Sequence, residues 1–304
     1  MISWTVRKTR SALTQGKGPS DTPSWVFLSP LVLVLFFATA FPLMYSMYMS
    51  FFNWNWGNRF SFIGFQNYTT VFANHEYWAS IGRTGLFTIL AVTFETVIGF
   101  ALALLVEKIG RHAGWVRSIL IAPLMVSGIA VSLTWKIILD PTIGVLPRML
   151  GHLGIHHLNL LGDPKIALTS VAGIDTWWQT GFVFIILSAG LQALPKDPFE
   201  AAQIDGASGW KSFRYITLPL MLPLIFIVAG IRAIDCLKLF ALVFGATGGG
   251  PGQATESVQL LAYRTGFKAS QMSMGMTMLV IYVLFTAIVV VLVLGYVRWR
   301  RRHA

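Results

Sequence analysis

The sequence predicts an all-α integral membrane protein with six transmembrane helices, and three observations carry that prediction. The chain has 304 residues, of which 55% are hydrophobic and only 12% are charged, whereas soluble domains average about a quarter charged residues. Six stretches each supply roughly the 20 apolar residues that a helix needs to cross a bilayer. Lysine and arginine residues concentrate on one side of the resulting topology, as they do in membrane proteins.

The six predicted spans follow one another along the chain. They lie near residues 26–52, 84–106, 116–139, 166–194, 220–244 and 274–297. The first follows basic residues, as a signal peptide does. Its apolar core is longer than a secretory segment and no small-residue cleavage site follows, so we expect a retained helix. The predicted organisation is an N-terminal segment (1–25), a six-span domain (26–297) and a basic tail (298–304).

The distribution of basic residues predicts the orientation. Most of the 23 lysine and arginine residues lie in the N-terminal segment, the 107–115 loop, the 195–219 loop and the C-terminal tail. Because positive residues stay in the cytoplasm, both termini and the 195–219 loop are expected there. The net charge of +11 then reflects topology and lipid-headgroup anchoring, and no nucleic-acid partner is expected.

Residues 195–219 form a loop, hereafter the polar loop, that is too polar to cross a bilayer and patterned like two short helices. Asp197 is expected to cap the first helix, with Glu200 three residues later as in a capping box. Gly206 should end that helix, and Ser208 should cap a second one. The predicted helix-turn-helix is either a linker that anchors two spans at the interface or a docking element for a cytoplasmic partner.

The sequence "EAAQIDGASGWKSFRYITLP" within this loop resembles the cytoplasmic loop of binding-protein-dependent ABC importer permeases. That pattern is E-A-A-x-x-D-G-A, then an aromatic residue, then I-x-L-P. The matching positions are Glu200, Ala201, Ala202, Asp205, Gly206, Ala207, Phe213, Ile216, Leu218 and Pro219. The resemblance covers nearly the whole chain. The segments "FPLMYSMYMSFFNWN" and "GATGGGPGQATESVQLLAYRTGF" are similar to the carbohydrate, maltose-type branch.

The resemblance implies a permease subunit of an ATP-driven importer for a sugar or related polyol, in the cytoplasmic membrane of a bacterium or archaeon. It implies three protein partners: a second six-span permease, an extracytoplasmic solute-binding protein, and a cytoplasmic ATPase dimer that docks on the polar loop. The ATPase uses ATP and Mg, and no cofactor is expected on this chain. The docking residues implied are Glu200, Ala201, Ala202, Asp205, Gly206, Ala207, Leu218 and Pro219.

The sequence predicts no catalytic residue. It has no G-x-x-x-x-G-K-[ST] phosphate loop and no nucleophile–base constellation. The alternative function is a membrane-embedded enzyme that modifies lipid or glycan, with Asp205 and Gly206 at its site. That alternative is weakened because its polar residues do not converge at one membrane depth.

Charged residues within the spans mark candidate functional positions, because charge inside a membrane is costly. They are Glu95, Lys136, Asp175, Arg232, Asp235 and Lys238. Arg232, Asp235 and Lys238 are spaced three residues apart, so Asp235 can pair with either base. The set is either an ion pair that fixes helix packing or, in one conformation, presents Asp235 to a sugar hydroxyl.

Residues Trp177, Trp178 and Gln179 in the fourth span are predicted, together with Asp235, to line the substrate path. Sugars bind to aromatic faces with convergent polar groups, although a tryptophan belt at the bilayer interface is the alternative. A disaccharide, a longer oligosaccharide, a polyol or glycerol phosphate would all fit as the solute.

Three further motifs are expected to be structural. The "GGGPG" run at 248–252 is predicted to be a flexible external turn and no phosphate cradle. The histidines at 152, 156 and 157 lack an interleaved acid, so a surface turn is favoured over a metal site. Cys236 is expected to be a small packing residue.

Overall fold

The computed structural model describes residues 24–57, 60–110, 114–154 and 159–303. The chain divides into two compact units at Tyr45–Ser46. Most of helix α1, Ser24–Met49, belongs to the first unit, and its last residues belong to the second.

Helices make up most of the described residues of the second unit, together with one short antiparallel strand pair. Strand β1 (Phe52–Asn53) pairs with strand β2 (Ser61–Phe62), which the sequence did not predict. The helices are α2 (Gln66–Ala73), α3 (His75–Ile109), α4 (Gly114–Ile121), α5 (Gly128–Ile138), α6 (Val145–His152), α7 (Ala167–Gln192), α8 (Asp197–Ile204), α9 (Gly209–Ser212), α10 (Leu218–Cys236), α11 (Ala241–Ala246), α12 (Val258–Tyr263) and α13 (Met272–His303). A 3₁₀ turn covers Ala122–Met125, and π turns cover Phe213–Thr217 and Arg264–Lys268.

The prediction of six membrane spans agrees with these helices. Among the described residues, four helical segments are long and apolar enough to cross alone: Leu28–Met49, His75–Ile109, Gly209–Cys236 and Met272–Val291. Two bent helix pairs, α4 with α5 and α7 with α8, bring the number to six if each pair counts as one span. The predicted fourth span, 166–194, coincides with α7.

The third span, predicted as a single span near 116–139, is broken into two helices. The two halves meet at a bend of 99°. Pro123 lies in the 3₁₀ turn, where its ring and missing N–H interrupt the helical ladder. Val126 and Ser127 are extended. The indole Nε1 of Trp178 donates to the carbonyl of Val126 at 3.2 Å, which satisfies one acceptor that the break releases.

The fifth span ends at Cys236, earlier than the predicted 244, because side chains from other segments take the carbonyls that a longer helix would use. The hydroxyl of Tyr282 donates to the carbonyl of Leu237 at 2.8 Å. The hydroxyl of Ser257 donates to the carbonyl of Leu239 at 2.5 Å. Helix α11 then begins separately.

Helix α3 packs against several helices of the second unit, and most extensively against α7. A Cβ on Gly99 would lie 2.8 Å from a methyl group of Val183, so the glycine sets how closely the two helices approach. At one end of α3 the hydroxyl of Thr84 accepts from the backbone N–H of Val258 at 3.3 Å. About 24 Å further along the helix, the ring of Phe100 contacts Phe213 of the polar loop. The polar loop and α12 therefore lie at opposite ends of this unit.

Candidate functional site

The polar loop forms the predicted helix-turn-helix from α8 and α9. Gly206 adopts a left-handed φ of 70° and closes α8. The N–H of Ala207 donates to the carbonyl of Ala202 at 2.9 Å, and that of Gly206 donates to Gln203 at 3.1 Å, which is a Schellman ending. The hydroxyl of Ser208 accepts from the N–H of Lys211 at 3.4 Å, so the predicted second cap is confirmed.

The predicted first cap is wrong by one residue. Asp197 is the first residue of α8, and Lys196 precedes it without a side-chain cap. The carbonyl of Lys196 already accepts from the N–H groups of Phe199 at 2.9 Å and Glu200 at 3.1 Å, which starts the helix earlier than the capping box requires. Asp197 and Glu200 still lie in the first turn, where acids favour the positive end of a helix.

The polar loop is anchored at its base and exposed at its tip. The ring of Phe213 packs against Trp210 at 5.5 Å and against Phe100 of α3 at 6.1 Å. Among the residues implied for docking, Glu200, Ala201, Asp205, Gly206 and Pro219 are exposed, and Ala202, Ala207 and Leu218 are half-buried. Ile204 is 88% exposed and Trp210 is 70% exposed. Exposed apolar groups on a rigid loop are typical of a surface that binds another protein.

A buried guanidinium joins three helices near the middle of the unit. Arg232 of α10 is 3% exposed. Its Nε lies 2.6 Å from Oε2 of Glu95 on α3, and its Nη2 lies 3.0 Å from Oδ2 of Asp175 on α7. Its Nη1 lies 2.6 Å from Oδ2 of Asp235. These four residues are called the Arg232 cluster below.

The spacing predicted that Asp235 can pair with either flanking base, and it pairs with both: Asp235 contacts Arg232, and its Oδ1 lies 3.5 Å from Nζ of Lys238. The partnership with Glu95 and Asp175 was missed. A usable signal existed, because two acids in apolar spans need a basic partner inside the protein. Only the fold could show that one arginine serves both.

Cys236 packs beside the Arg232 cluster, and its Sγ lies 3.3 Å from Nη2 of Arg232. Three possible ligand atoms lie within 4.8 Å of one another here, one each from Glu95, Asp175 and Cys236. This spacing could hold a cation. The guanidinium of Arg232 already bonds to all three, so it supplies the positive charge at that position.

A cavity of about 340 Å³ opens beside the Arg232 cluster and is called the small cavity. Its lining residues are Gln179, Phe182, Ile231, Arg232, Ile234, Asp235 and Lys238. Gln179 and Asp235, which the sequence analysis predicted as path residues on separate spans, therefore line one space. The side chains of Asp235 and Lys238 are 53% and 66% exposed.

The two predicted path tryptophans are not among the residues that line the small cavity. Trp177 lines a larger, mainly apolar cavity of about 610 Å³ together with residues of α3 and α4, and its ring meets Trp135 edge to face at 5.4 Å. Trp178 covers the break in the third span, where its ring would contact a Cβ on Gly128 at 2.8 Å.

The glycine run at 248–252, which is predicted to be a flexible external turn, belongs to a turn that side-chain hydrogen bonds cross. The hydroxyls of Thr247 and Thr255 lie 2.7 Å apart, and Thr255 also donates to the carbonyl of Gly250 at 2.8 Å. Arg264 binds both carboxylate oxygens of Glu256, at 2.8 and 2.9 Å. Burial raises the pKa of Glu256, and the charge of Arg264 opposes that shift. His152 ends α6, while His156 and His157 lie outside the described residues.

Comparison with known proteins identifies the family. Residues 20–303 match the family described as "Binding-protein-dependent transport system inner membrane component". The chain is 37% identical over 270 residues to a probable ABC transporter permease protein of Sinorhizobium fredii, covering 87% of this chain and 86% of the relative. It is 38% identical over 202 residues to the trehalose/maltose transport system permease protein of Thermococcus litoralis, covering 66% of this chain and 68% of that relative.

The fold is also that of a solved transporter chain. A crystal structure of a bacterial ABC transporter involved in the import of the acidic polysaccharide alginate matches with a TM-score of 0.76 at 22% identity, covering 92% of this chain and 96% of that one. None of these findings favours the alternative of a membrane-embedded lipid- or glycan-modifying enzyme. The chain belongs to the family of inner membrane components of binding-protein-dependent transport systems.

Proposed function

We propose that this chain is the permease subunit of an ATP-driven importer that moves a sugar or related polyol into the cytoplasm. The observation that carries the proposal is the anchored, exposed helix-turn-helix of the polar loop, on a chain whose family serves binding-protein-dependent transport. Relatives named for trehalose and maltose, for starch degradation products and for sn-glycerol 3-phosphate support the solute class.

The polar loop is the proposed contact for a cytoplasmic ATPase dimer that binds ATP and Mg. Because Phe213 joins the loop to α3, movement of the loop would be transmitted to the helix that carries Glu95. ATP and a loaded binding protein switch the permease only to the extent that each binds one conformation better than the other. A related fold solved in complex with an alginate pentasaccharide-bound periplasmic protein supports a binding-protein partner.

The proposed orientation places both termini and the polar loop in the cytoplasm. The asymmetry of basic residues supports it, and the glycine turn near α12 then lies on the outer side. A second six-span permease completes the proposed pore within the cytoplasmic membrane of a bacterium or archaeon.

The small cavity is the proposed solute site of this subunit. Gln179, Asp235 and Lys238 converge there with the ring of Phe182, which is the combination of polar groups and an aromatic face that suits a sugar. Trp177 and Trp178 are proposed to contribute from the outer part of α7, Trp178 by holding the broken third span in place.

Reconstitution tests this function. The chain is co-expressed with the ATPase, second permease and binding protein encoded beside it, and the purified complex is placed in liposomes. We expect ATP-dependent uptake of at least one radiolabelled probe among maltose, trehalose and sorbitol. Co-purification without ATP-dependent uptake of any of these probes would contradict the solute class, and failure to associate with any ATPase would contradict the whole proposal.

A further inference from the structure

The Arg232 cluster is more elaborate than helix packing requires. Glu95 is fully buried, and Arg232 and Asp175 are nearly so. Removing such charges from water is costly, and apolar residues of similar volume often pack as stably as a buried ion pair. Three spans could therefore be joined here without any charge. The position of the cluster, on the wall of the small cavity, indicates a different role.

The contacts fix the direction of the Asp235 carboxylate. Nη1 of Arg232 holds its Oδ2 at 2.6 Å, while Glu95 and Asp175 hold the other guanidinium nitrogens from α3 and α7. Glu95 and Asp175 therefore hold the guanidinium from two helices, and its remaining nitrogen, Nη1, binds Asp235. The second oxygen, Oδ1, is left with the longer 3.5 Å contact to Lys238, which lines the same cavity.

We propose that Arg232 is a positioning residue, which holds one oxygen of Asp235 so that the other, beside Lys238, can bind hydroxyl groups of an uncharged solute in the small cavity. This proposal rests on the proposed function. It assigns Glu95 and Asp175 the role of orienting the guanidinium, and it assigns Lys238, which the sequence analysis did not place on the path, a role as hydrogen-bond donor.

The charges of the cluster support an uncharged solute. Glu95, Asp175 and Asp235 supply three carboxylates, against the two cations Arg232 and Lys238. Neither cation is in surplus, so an anionic solute would have to take Lys238 from Asp235. A sugar hydroxyl can instead donate to Oδ1 of Asp235 and accept from Lys238 or Gln179 without displacing any ion pair.

Replacing the three buried charged residues of the cluster with uncharged ones tests the positioning role. The triple variant Arg232→Met, Glu95→Gln and Asp175→Asn removes one cation and two acids but leaves Asp235 and Lys238 in place. We expect normal assembly with the partner subunits, because no charged group of the cluster is left buried without a partner. Solute transported per ATP should fall by about tenfold, the effect of roughly 1.4 kcal/mol, because Asp235 has lost its orienting contact.

Two results would overturn the proposal. An unchanged ratio of transport to hydrolysis would show that Asp235 needs no positioning, and poor assembly would show that the network serves folding. The single variant Asp235→Ala, which removes the hydrogen-bonding side chain, separates this proposal from the proposed function: if it transports normally, the small cavity is not the solute site. A complex that imports sn-glycerol 3-phosphate faster than maltose, trehalose and sorbitol would refute the uncharged solute class.

Discussion

Gly206, at the turn of the polar loop, is the position where a small change should have the clearest effect on coupling. Its φ of 70° is left-handed, and a Cβ placed there would meet no atom of the chain within 4 Å. Substitution therefore causes no internal clash. Alanine in this conformation costs about 1–2 kcal/mol, which lowers the population of the correct turn by roughly 5- to 30-fold.

Binding of the ATPase to the purified permease complex in nanodiscs measures this effect. Gly206→Ala should insert normally and bind the ATPase about 5- to 30-fold more weakly, because the turn must be re-formed on docking. Gly206→Asp tolerates the left-handed conformation better but adds a charged side chain at the tip. If the partner approaches the backbone closely, the aspartate variant should bind more weakly than the alanine variant.

Gly209 provides a matched control in the same loop. Its φ is not left-handed, and a Cβ placed there would also meet no atom within 4 Å, so Gly209→Ala should bind the ATPase within about twofold of the unchanged chain. The reasoning is refuted if both Gly206 variants bind the ATPase as tightly as Gly209→Ala does. The ATPase would then neither need the left-handed turn nor contact it.

Three further predictions concern stability and are measured as melting temperature and yield in detergent. Gly181→Ala should lower the free energy of unfolding by about 1–3 kcal/mol, because its Cβ would meet a backbone carbonyl of α4. Gly173→Ala on the same helix is the control: its Cβ would meet nothing within 4 Å, so it should be neutral or stabilising. Equal effects of the two substitutions would contradict this packing. Trp178→Phe should lose about 1 kcal/mol with the hydrogen bond that closes the broken span, and an unchanged melting temperature would show that this bond is dispensable. Arg264→Gln should lose about 2 kcal/mol near neutral pH, since the buried carboxylate of Glu256 loses the cation that contacts it. Burial raises the pKa of Glu256 in the folded chain, so the stability that this group contributes falls as the pH rises through that pKa. The Arg264→Gln variant should therefore melt at a higher temperature at about pH 5 than at about pH 7.5. This difference in melting temperature should be larger than the same difference in the unchanged chain.

The sequence was sufficient for features set by local chemistry. The apolar stretches indicated the number of spans, because hydrocarbon thickness fixes their length. Gly206 and Ser208 indicated the turn and the second cap of the polar loop, because left-handed φ and side-chain capping depend on nearby residues alone. The i, i+3 spacing of Arg232, Asp235 and Lys238 indicated their pairing for the same reason.

Features that depend on distant contacts were missed. The break in the third span requires Pro123 together with an indole from α7 that donates to the carbonyl of Val126. The early end of the fifth span depends on Tyr282 and Ser257, which are remote in sequence. The links from Arg232 to Glu95 and Asp175 cross 137 and 57 positions, and no local pattern indicates which buried acid meets which base.

The side of the membrane on which the polar loop lies tests the central claim most directly, because a cytoplasmic motor can act only on a cytoplasmic loop. Cys236, the single cysteine of the chain, is first replaced by serine. One cysteine is then introduced at the exposed position Ile204. The control variant carries its cysteine at the exposed position Lys268, near the opposite end of the unit. A membrane-impermeant maleimide should label Ile204→Cys only in inside-out vesicles and Lys268→Cys only in right-side-out spheroplasts. Labelling of Ile204→Cys from outside intact spheroplasts would contradict the account.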